Sequence, residues 1–344
     1  MFNQHHRRIG YACKTISPDT TLSKQQAQEF HTRLNTRSTT LAWMNRQTQQ
    51  VAYEKLESIV HHNITSLKNL INFVGELPHA QRIVRIGSDV LPFYSHHSGV
   101  DFYREAHRNS WIVDGFRDCG EIARELDVRL SFHPGQFLVL ASHRPDVVDR
   151  SILEFEYHAD MARWMGYGVD FQDFKINIHV SGQLGPAGIQ AVLPRLSQVA
   201  RNCITIENDE MTWGLDSSLE LKNDLALVVD IHHHWVKTGE YLSPTDDRFK
   251  QVIDSWRGVR PVIHFSVSRS LEQNSAPTDQ LPDLTKLLEE GHKKQKLRAH
   301  SDYFWNQAVN DWALGFLEYA DIMCESKMKN LASQLLVDQL NSNI

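Results

Sequence analysis

Polar side chains able to do chemistry recur at or just past the ends of the apolar runs that the sequence predicts as strands. Histidine is frequent, with 19 residues against 17 glycines, and imidazole groups bind metals and transfer protons near neutral pH. Recurrence over consecutive strands predicts one shared site. The strand-end residues are Tyr11, Asp89, His133, His179, Glu207, Asp230, His233, His264 and Glu325.

This set offers nitrogen and oxygen ligands of the kind that Zn²⁺, Mn²⁺ and Fe accept. The four cysteines are scattered and lack the spacing of a zinc or redox site. The ligands outnumber the four that one tetrahedral ion takes, so more than one metal is expected. Clustered metals hydrolyse phosphate esters well, because one activates water while its neighbours neutralise developing charge.

The triple histidine run 232–234 extends a predicted strand. Side chains alternate along a strand, so at most one or two of the three can face a site. We therefore expect His232 or His234 to be exposed to solvent. Asp230 and His233 are three residues apart and converge only if the chain turns between them.

The elements that must position these residues alternate between strand and helix. Predicted strands cover 7–12, 82–89, 128–135, 174–182, 203–209, 226–234, 260–268 and 321–327. Predicted helices cover 49–74, 114–126, 144–165, 186–200, 216–225, 246–256, 301–320 and about 328–341. Eight such units predict one α/β domain over 1–344, a (β/α)₈ TIM barrel with its site at the C-terminal ends of the strands. The alternative is an open doubly wound sheet, although no GxGxxG follows the first strand.

Composition and charge narrow the function classes. Hydrophobic residues make up 41% and charged residues 23% of the 344-residue chain, as in soluble globular proteins. With 36 basic and 42 acidic residues the net charge is −6, so nucleic-acid binding requires a local basic patch or bound cations. The polar segment at about 268–300 is predicted as a long loop. Its basic run 292–298 is either a solvated surface or a phosphate-contacting arm.

The N-terminal segment lacks the apolar stretch of a secretory signal, and no apolar run approaches the roughly 18 residues of a membrane span. Scattered cysteines suit a reducing compartment. We therefore expect a cytoplasmic protein without membrane contact. A barrel needs no partner to fold, so a monomer without an obligate protein partner is expected.

The chain resembles a known family in nine motifs, which follow one another along almost its whole length. They resemble the UV damage endonucleases, metal-dependent (β/α)₈-barrel DNA-repair enzymes related to endonuclease IV. The combination of FHPGQF with IEND and DIHHH is the most specific part. The motifs are RIGYA (8–12), RIGSDVLPFYSHHS (85–98), FHPGQF (132–137), INIHVSG (176–182), IEND (206–209), DIHHH (230–234), IHFS (263–266), HSDYF (300–304) and DIMCESK (321–327).

The resemblance implies an activity and its cofactors. The expected reaction is hydrolysis of the phosphodiester bond 5′ to UV photoproducts, pyrimidine dimers and 6-4 photoproducts, in double-stranded DNA. It leaves 3′-hydroxyl and 5′-phosphate ends. Two to three divalent ions are implied, with Mn²⁺ expected and Zn²⁺ or Mg²⁺ as alternatives. The damaged nucleotides would be extruded from the duplex, which is easiest for damaged bases.

The resemblance also assigns roles to individual residues. One ion would be held by Glu207, Asp230, His264 and Glu325. A second would be held by His133 and His179 with Glu207 bridging, and His233 and His300 would help to hold a third. The expected catalytic residues are Glu207 and His97, with His96 as the alternative to His97. The expected DNA or lesion contacts are Tyr11, Thr15 and the probing residues Gln136 and Phe137.

Three positions depart from the family pattern. Phe137 replaces a tyrosine, which keeps the stacking surface and removes the hydroxyl. Thr15 replaces an asparagine. Val262 replaces a modified lysine and cannot coordinate a metal, so the third site is weaker or is completed by Lys175 or Asp302.

Three other functions fit parts of the pattern. An abasic-site endonuclease of the endonuclease IV type would use the same metal motifs but would not explain the pair Gln136–Phe137. A metal-dependent sugar isomerase also uses histidine and carboxylate ligands on a barrel, yet leaves the basic run unexplained. A damage-binding protein that has lost catalysis finds its only support in Val262.

Overall fold

Eight short parallel strands form the centre of the protein in the computed structural model. The structure describes residues 7–342; residues 1–6, on which the expectation about a secretory signal partly rests, and residues 343–344 lie outside the described part. The strands are β1 (Ile9–Cys13), β2 (Ile83–Ile86), β3 (Arg129–Phe132), β4 (Lys175–His179), β5 (Ile204–Glu207), β6 (Ala226–Val228), β7 (Val262–Phe265) and β8 (Asp321–Cys324).

The sheet order is β6-β5-β4-β3-β2-β1-β8-β7. The edge strands β6 and β7 meet through a parallel bridge between Asp230 and His264, and the His264 amide donates to the Val229 carbonyl at 2.9 Å. The sheet therefore closes almost completely into the barrel that the alternation of strands and helices predicts. The open doubly wound alternative is wrong.

Helices surround this barrel and run back between its strands. They are α1 (Lys24–Leu34), α2 (Leu41–Met44), α3 (Gln49–Gly75), α4 (Val100–Arg104), α5 (Ala106–Glu125), α6 (Pro145–Trp164), α7 (Gly185–Val192), α8 (Gln198–Cys203), α9 (Leu215–Leu219), α10 (Ile231–Thr238), α11 (Asp247–Ser255), α12 (Arg269–Gln273), α13 (Leu284–Glu289), α14 (Lys294–Leu297), α15 (Gln307–Leu314) and α16 (Lys329–Ser342). None of these described helices is long and apolar enough to cross a membrane.

Local chemistry explains where the helices differ from their predicted bounds. The predicted helix 186–200 is divided into α7 and α8 around Pro194, which has no amide proton to donate. Helix α5 begins at Ala106 rather than near Asp114. The polar helix α1 was not predicted; Ser23 and Gln26 form a capping box at its start.

The predicted strand 226–234 is wrong after Val228. Asp230 caps helix α10, and its carboxylate accepts a hydrogen bond from the His233 amide at 2.7 Å. The whole histidine run therefore lies on a helix. The expectation that His232 or His234 is exposed is also wrong, since both are buried.

The predicted loop at 268–300 instead contains the short helices α12, α13 and α14. It packs on α10 through a small apolar cluster. The cluster consists of Trp235, Val236, Leu271, Leu284 and Leu297. Burial of these side chains explains why a polar segment has a defined path.

The N-terminal end of the barrel is held by an ionic network around Asp321, the first residue of β8. Its buried carboxylate accepts from the Arg8 amide at 3.0 Å, from Arg129 at 2.8 Å and from Arg260 at 2.7 Å. Burial of a charge is tolerated when such partners satisfy it. The strands thus begin from a fixed set of ion pairs.

Candidate metal centre and cleft

The C-terminal ends of the strands bring six of the predicted ligands together. His179 and Glu207 end the neighbouring strands β4 and β5 and are register partners. Asp230 and His264 face each other across the closure of the barrel. His133 directly follows β3, and Glu325 directly follows β8. Parallel strands place all these positions on one face of the barrel.

Glu207 occupies the centre of the cluster and is fully buried. Its Oε2 atom lies 3.0 Å from His264 Nδ1 and 3.4 Å from His133 Nε2. Its Oε1 atom lies 3.7 Å from His233 Nδ1. One carboxylate therefore faces ligands from several strands.

The candidate ligands form three overlapping groups of three residues. Within each group, one ligand atom per residue lies within 4.8 Å of the other two. Two groups share Glu207, and His264 belongs to two of them. The groups are His133–Glu207–His264, His179–Glu207–His233 and Asp230–His264–Glu325. His300 stands at the edge, with its Nδ1 atom 3.9 Å from Glu325 Oε2.

Contacts behind the cluster orient the histidine rings. His133 Nδ1 lies 3.0 Å from the Pro134 carbonyl, which leaves Nε2 facing Glu207. His233 Nδ1 lies 3.2 Å from the Asn208 carbonyl, which leaves Nε2 facing Asp230. A carbonyl that accepts from one ring nitrogen fixes the other as a metal ligand.

Burial and mutual charge shift the titration of the cluster. Burial alone would raise the pKa of Glu207, but His264 and His179 hold it well below its usual range. Burial raises the pKa of Asp230 to about 7 against the opposing charge of His233. Burial opposes protonation of His233, yet Asp230 and Glu207 raise its pKa to about 9. The carboxylates thus depend on nearby positive charge to stay ionised.

Several buried ligand atoms have no hydrogen-bond partner among the described residues. Glu207 Oε2 and His264 Nδ1 lie 3.0 Å apart, but their geometry is not that of a hydrogen bond, so His264 Nδ1 is among these atoms. The unpartnered atoms are His179 Nδ1, Glu207 Oε1, Asp230 Oδ2 and His264 Nδ1. Unsatisfied buried polar atoms are costly. Nitrogen and oxygen atoms converging in this way fit divalent metal ions.

Three residues around the cluster were not recognised as part of a site from their motifs. Arg85 on β2 pairs with Glu325. Asn177 on β4 donates to Glu207 and is itself held by Thr205 Oγ1 at 2.7 Å. Glu210, after β5, has its Oε2 atom 3.8 Å from His233 Nε2. A charged or amide side chain inside an otherwise apolar strand, as at positions 85 and 177, was the available signal.

A cleft of about 700 Å³ opens above the cluster, within the size range of ligand sites. His179, His233, His300 and Glu325 line it beside the ligand groups. Its walls come from the loops after β3, β4 and β5, at 134–138, 180–183 and 209–213, and from Arg298. A substrate in this cleft would therefore contact the cluster directly.

Comparison with known proteins identifies the family of the chain. The family model for the UV-endonuclease UvdE matches residues 7–343. The chain belongs to the UvdE family. The UV DNA damage endonucleases of Bacillus cereus strain G9842 and Bacillus velezensis strain DSM 23117 are 24% and 25% identical to it over 310 and 306 residues. The first alignment covers 86% of each chain, and the second covers 84% of this chain and 83% of its relative.

Solved structures show the same fold. The crystal structure of SacUVDE matches with a TM-score of 0.71 and 24% identity, over 98% of this chain and 99% of that one. Endonuclease IV from Thermus thermophilus matches with a TM-score of 0.52 and 12% identity, over 80% of this chain and 94% of the other. The barrel face that carries the candidate ligands thus occurs in a fold shared with SacUVDE.

The two probing residues implied by the UvdE motif FHPGQF lie at the surface. Gln136 lines the cleft, and the side chain of Phe137 is 87% exposed. Phe137 also borders a neighbouring cleft of about 540 Å³ that contains His96. The loop therefore presents an aromatic ring to solvent between two clefts.

Other residues implied by the UvdE resemblance lie apart from the cluster. His97 is exposed on the loop after β2 and belongs to none of the three ligand groups. His96 contacts His97 ring to ring, with centroids 4.0 Å apart. Tyr11 and Thr15 are buried and hydrogen-bond to each other at 2.8 Å. The structure therefore does not present either residue at the surface as a DNA contact.

The position at which the resemblance implies a modified lysine is apolar here. Val262 is buried in a cluster inside the barrel with Trp256 and Met323. Lys175 on β4 instead contacts His264, the candidate ligand on β7. Its Nζ atom lies 2.9 Å from His264 Nε2. Burial lowers the pKa of Lys175 to about 7. Asp302 lies beside Glu272 and is not part of the ligand groups.

Proposed function

We propose that this protein is a metal-dependent endonuclease that cuts duplex DNA on the 5′ side of UV photoproducts. The observation that carries the proposal is Glu207, a buried carboxylate shared by two ligand groups, one of which reaches a surface cleft through His179 and His233. Family membership supports DNA as the substrate. The products would be a 3′-hydroxyl and a 5′-phosphate.

The clustered ligands would hold two to three divalent ions, in the division that the family resemblance implies. Glu207 would bridge the ions held by His133 and His179 and by Asp230, His264 and Glu325. His233 and His300 would complete a further position nearer the cleft. Bound metals activate water and neutralise charge on the attacking and leaving oxygens. Nitrogen and oxygen donors suit Mn²⁺, with Zn²⁺ or Mg²⁺ as alternatives.

The remaining residues would bind the DNA or hold the ligands in place. Gln136 and Phe137 extend from the cleft rim, where a planar ring can stack on a base or fill the gap left by an extruded lesion. Asn177 and Arg85 would hold Glu207 and Glu325 in place through their hydrogen bonds. His97 would act from the neighbouring loop once substrate is bound.

A nicking assay tests the proposal. A labelled duplex with one defined photodimer, an undamaged copy and a copy with an abasic site are incubated with chelator-treated protein and then with Mn²⁺, Zn²⁺ or Mg²⁺. We expect one cut immediately 5′ to the photodimer, only when metal is present. Cutting of the abasic duplex alone would replace this activity by abasic-site cleavage, and no cutting with any metal would refute it.

A further inference from the structure

The segment 269–300 brings a basic residue to the cleft at a defined position. Ser268 and His300 form an antiparallel bridge, and the Arg269 amide donates to the Ala299 carbonyl at 2.7 Å. These bonds close the segment into a loop with fixed ends. The last residues of its basic run 292–298 therefore return to the C-terminal end of β7, beside the ligand groups.

Two contacts with the rest of the protein hold the end of this basic run in place. Leu297 is fully buried in the apolar cluster with Trp235 and Leu284. Lys294 donates to the Lys237 carbonyl at 2.6 Å, at the end of α10. Because α10 also carries His233, the basic run is attached to the same element as a candidate ligand.

Arg298 is the residue of the run that lines the cleft. Its Nη1 atom donates to Glu210 Oε1 at 2.6 Å, while its side chain stays 47% exposed. Among the described residues, Glu210 is the hydrogen-bond partner of this guanidinium. Since arginine has five donors, most of them can still bind an oxyanion in the cleft.

A surface ion pair of this kind contributes little to stability, between zero and about 1 kcal/mol. The position of the Arg298–Glu210 pair in the cleft gives it a role in binding instead. The chain has a net charge of −6, so a polyanion must be attracted by a local positive charge. Glu210 is also held near His233, so it orients the guanidinium from the wall of the cleft.

We infer that Arg298 contacts a DNA backbone phosphate next to the metal centre. This inference rests on the proposed function and names a substrate contact within it. Such a contact carries no sequence or lesion information, because phosphates are the same in damaged and undamaged DNA. It would strengthen the binding of any duplex and fix its register over the ligand groups.

Salt-dependent binding of an undamaged duplex to the metal-loaded enzyme tests the inference, with fluorescence anisotropy as the readout. We expect Arg298→Ala to weaken binding about tenfold and to reduce the slope of log K against log salt by about 0.9, the value for one lost phosphate contact. Arg298→Lys should restore the slope. The preference for a photodimer over an undamaged duplex should not change.

Two further variants separate a phosphate contact from other effects. Lys286→Ala removes one charge from the same segment at a side chain that is 75% exposed and borders another pocket; it should leave the slope unchanged. Glu210→Gln removes the negative charge and keeps an acceptor oxygen for the guanidinium, so it should strengthen duplex binding. A purely structural ion pair would make Arg298→Ala and Glu210→Gln weaken binding alike.

An unchanged slope in Arg298→Ala, or an equal loss in Lys286→Ala, would overturn the inference. Unchanged melting temperatures of the variants would show that folding is preserved. If the wild-type protein binds duplex through Arg298 but does not cut irradiated DNA, the proposed activity fails while the contact stands. If it cuts irradiated DNA and Arg298→Ala binds as well as wild type, the contact fails and the activity stands.

Discussion

The two ends of the barrel both bury charged groups, but they satisfy them differently. At the N-terminal end, Asp321 receives hydrogen bonds from Arg8, Arg129 and Arg260. At the C-terminal end, Glu207 and Asp230 each keep a buried oxygen without a partner among the described residues. Protein groups satisfy both oxygens of the Asp321 carboxylate, whereas the C-terminal carboxylates have ligand atoms left for something else. The difference distinguishes a structural ion network from a binding site.

The largest effect is expected from Glu207→Gln. The change preserves volume and removes the charge that two ligand groups share, so we expect the rate of photodimer nicking to fall at least about a thousandfold. Glu57→Gln is the control, because Glu57 on α3 pairs with Arg108 on α5 and belongs to none of the ligand groups. Activity within tenfold of wild type would show that Glu207 is not a metal bridge.

Asp321→Asn should have the opposite signature. It leaves the guanidiniums of Arg129 and Arg260 without their carboxylate, so we expect a loss of about 3 kcal/mol in the free energy of unfolding. Urea denaturation measures this loss, and metal affinity should stay at the wild-type value. A loss below about 1 kcal/mol, or weaker metal binding, would contradict the separation of the two ends.

Metal-dependent stabilisation sharpens the contrast. Mn²⁺ at about 100 times its dissociation constant should add about 2.7 kcal/mol to the free energy of unfolding. The gain should persist in Asp321→Asn and disappear in Glu207→Gln. A chelator titration followed by thermal melting checks both. A gain of equal size in the two variants would place the metal elsewhere in the molecule.

The sequence could predict the C-terminal end well because strand periodicity is local. His133, His179 and Glu207 follow apolar runs, and parallel strands bring such positions together whatever their separation along the chain. The same reasoning failed at His232 and His234. The run before Asp230 is apolar enough for a strand, but the aspartate caps a helix and turns the histidines inward.

The pairing of particular partners with particular ligands could not be predicted in this way, although Lys175 was one of two candidates to complete the third site. Lys175 and His264 are 89 positions apart, and Arg85 and Glu325 are 240 apart. Their contacts depend on strand stagger and on side-chain length, which no local pattern encodes. A charge inside an apolar strand shows that a partner is needed, and the fold then decides which residue supplies it.

Lys175→Met tests one of these partners. Loss of the contact to His264 Nε2 frees a ligand ring, and removal of such a contact costs about 10- to 100-fold in metal affinity. Isothermal titration with Mn²⁺ measures the change. Lys222→Met is the control, because Lys222, which follows α9, donates a hydrogen bond to Gln251 on α11. Equal affinities for wild type and Lys175→Met would remove Lys175 from the site.

The smallest effect is expected at the cleft rim, where Phe137 is 87% exposed. Phe137→Ala should change the free energy of unfolding by less than about 0.5 kcal/mol. It should lower the preference for a photodimer over an undamaged duplex about tenfold, because stacking of one ring on a base contributes about 1–3 kcal/mol. The ratio of kcat/KM values for the two duplexes measures this preference.

Phe137→Tyr and Val169→Ala complete this test. Tyrosine keeps the stacking surface and should keep the preference. Val169 is another highly exposed apolar residue, but it lies before β4 at the N-terminal end of the barrel, so Val169→Ala should change neither stability nor preference. If both alanine variants lowered the preference equally, exposed apolar surface in general would explain the effect. If neither did, lesion recognition would belong to the cleft floor rather than to its rim.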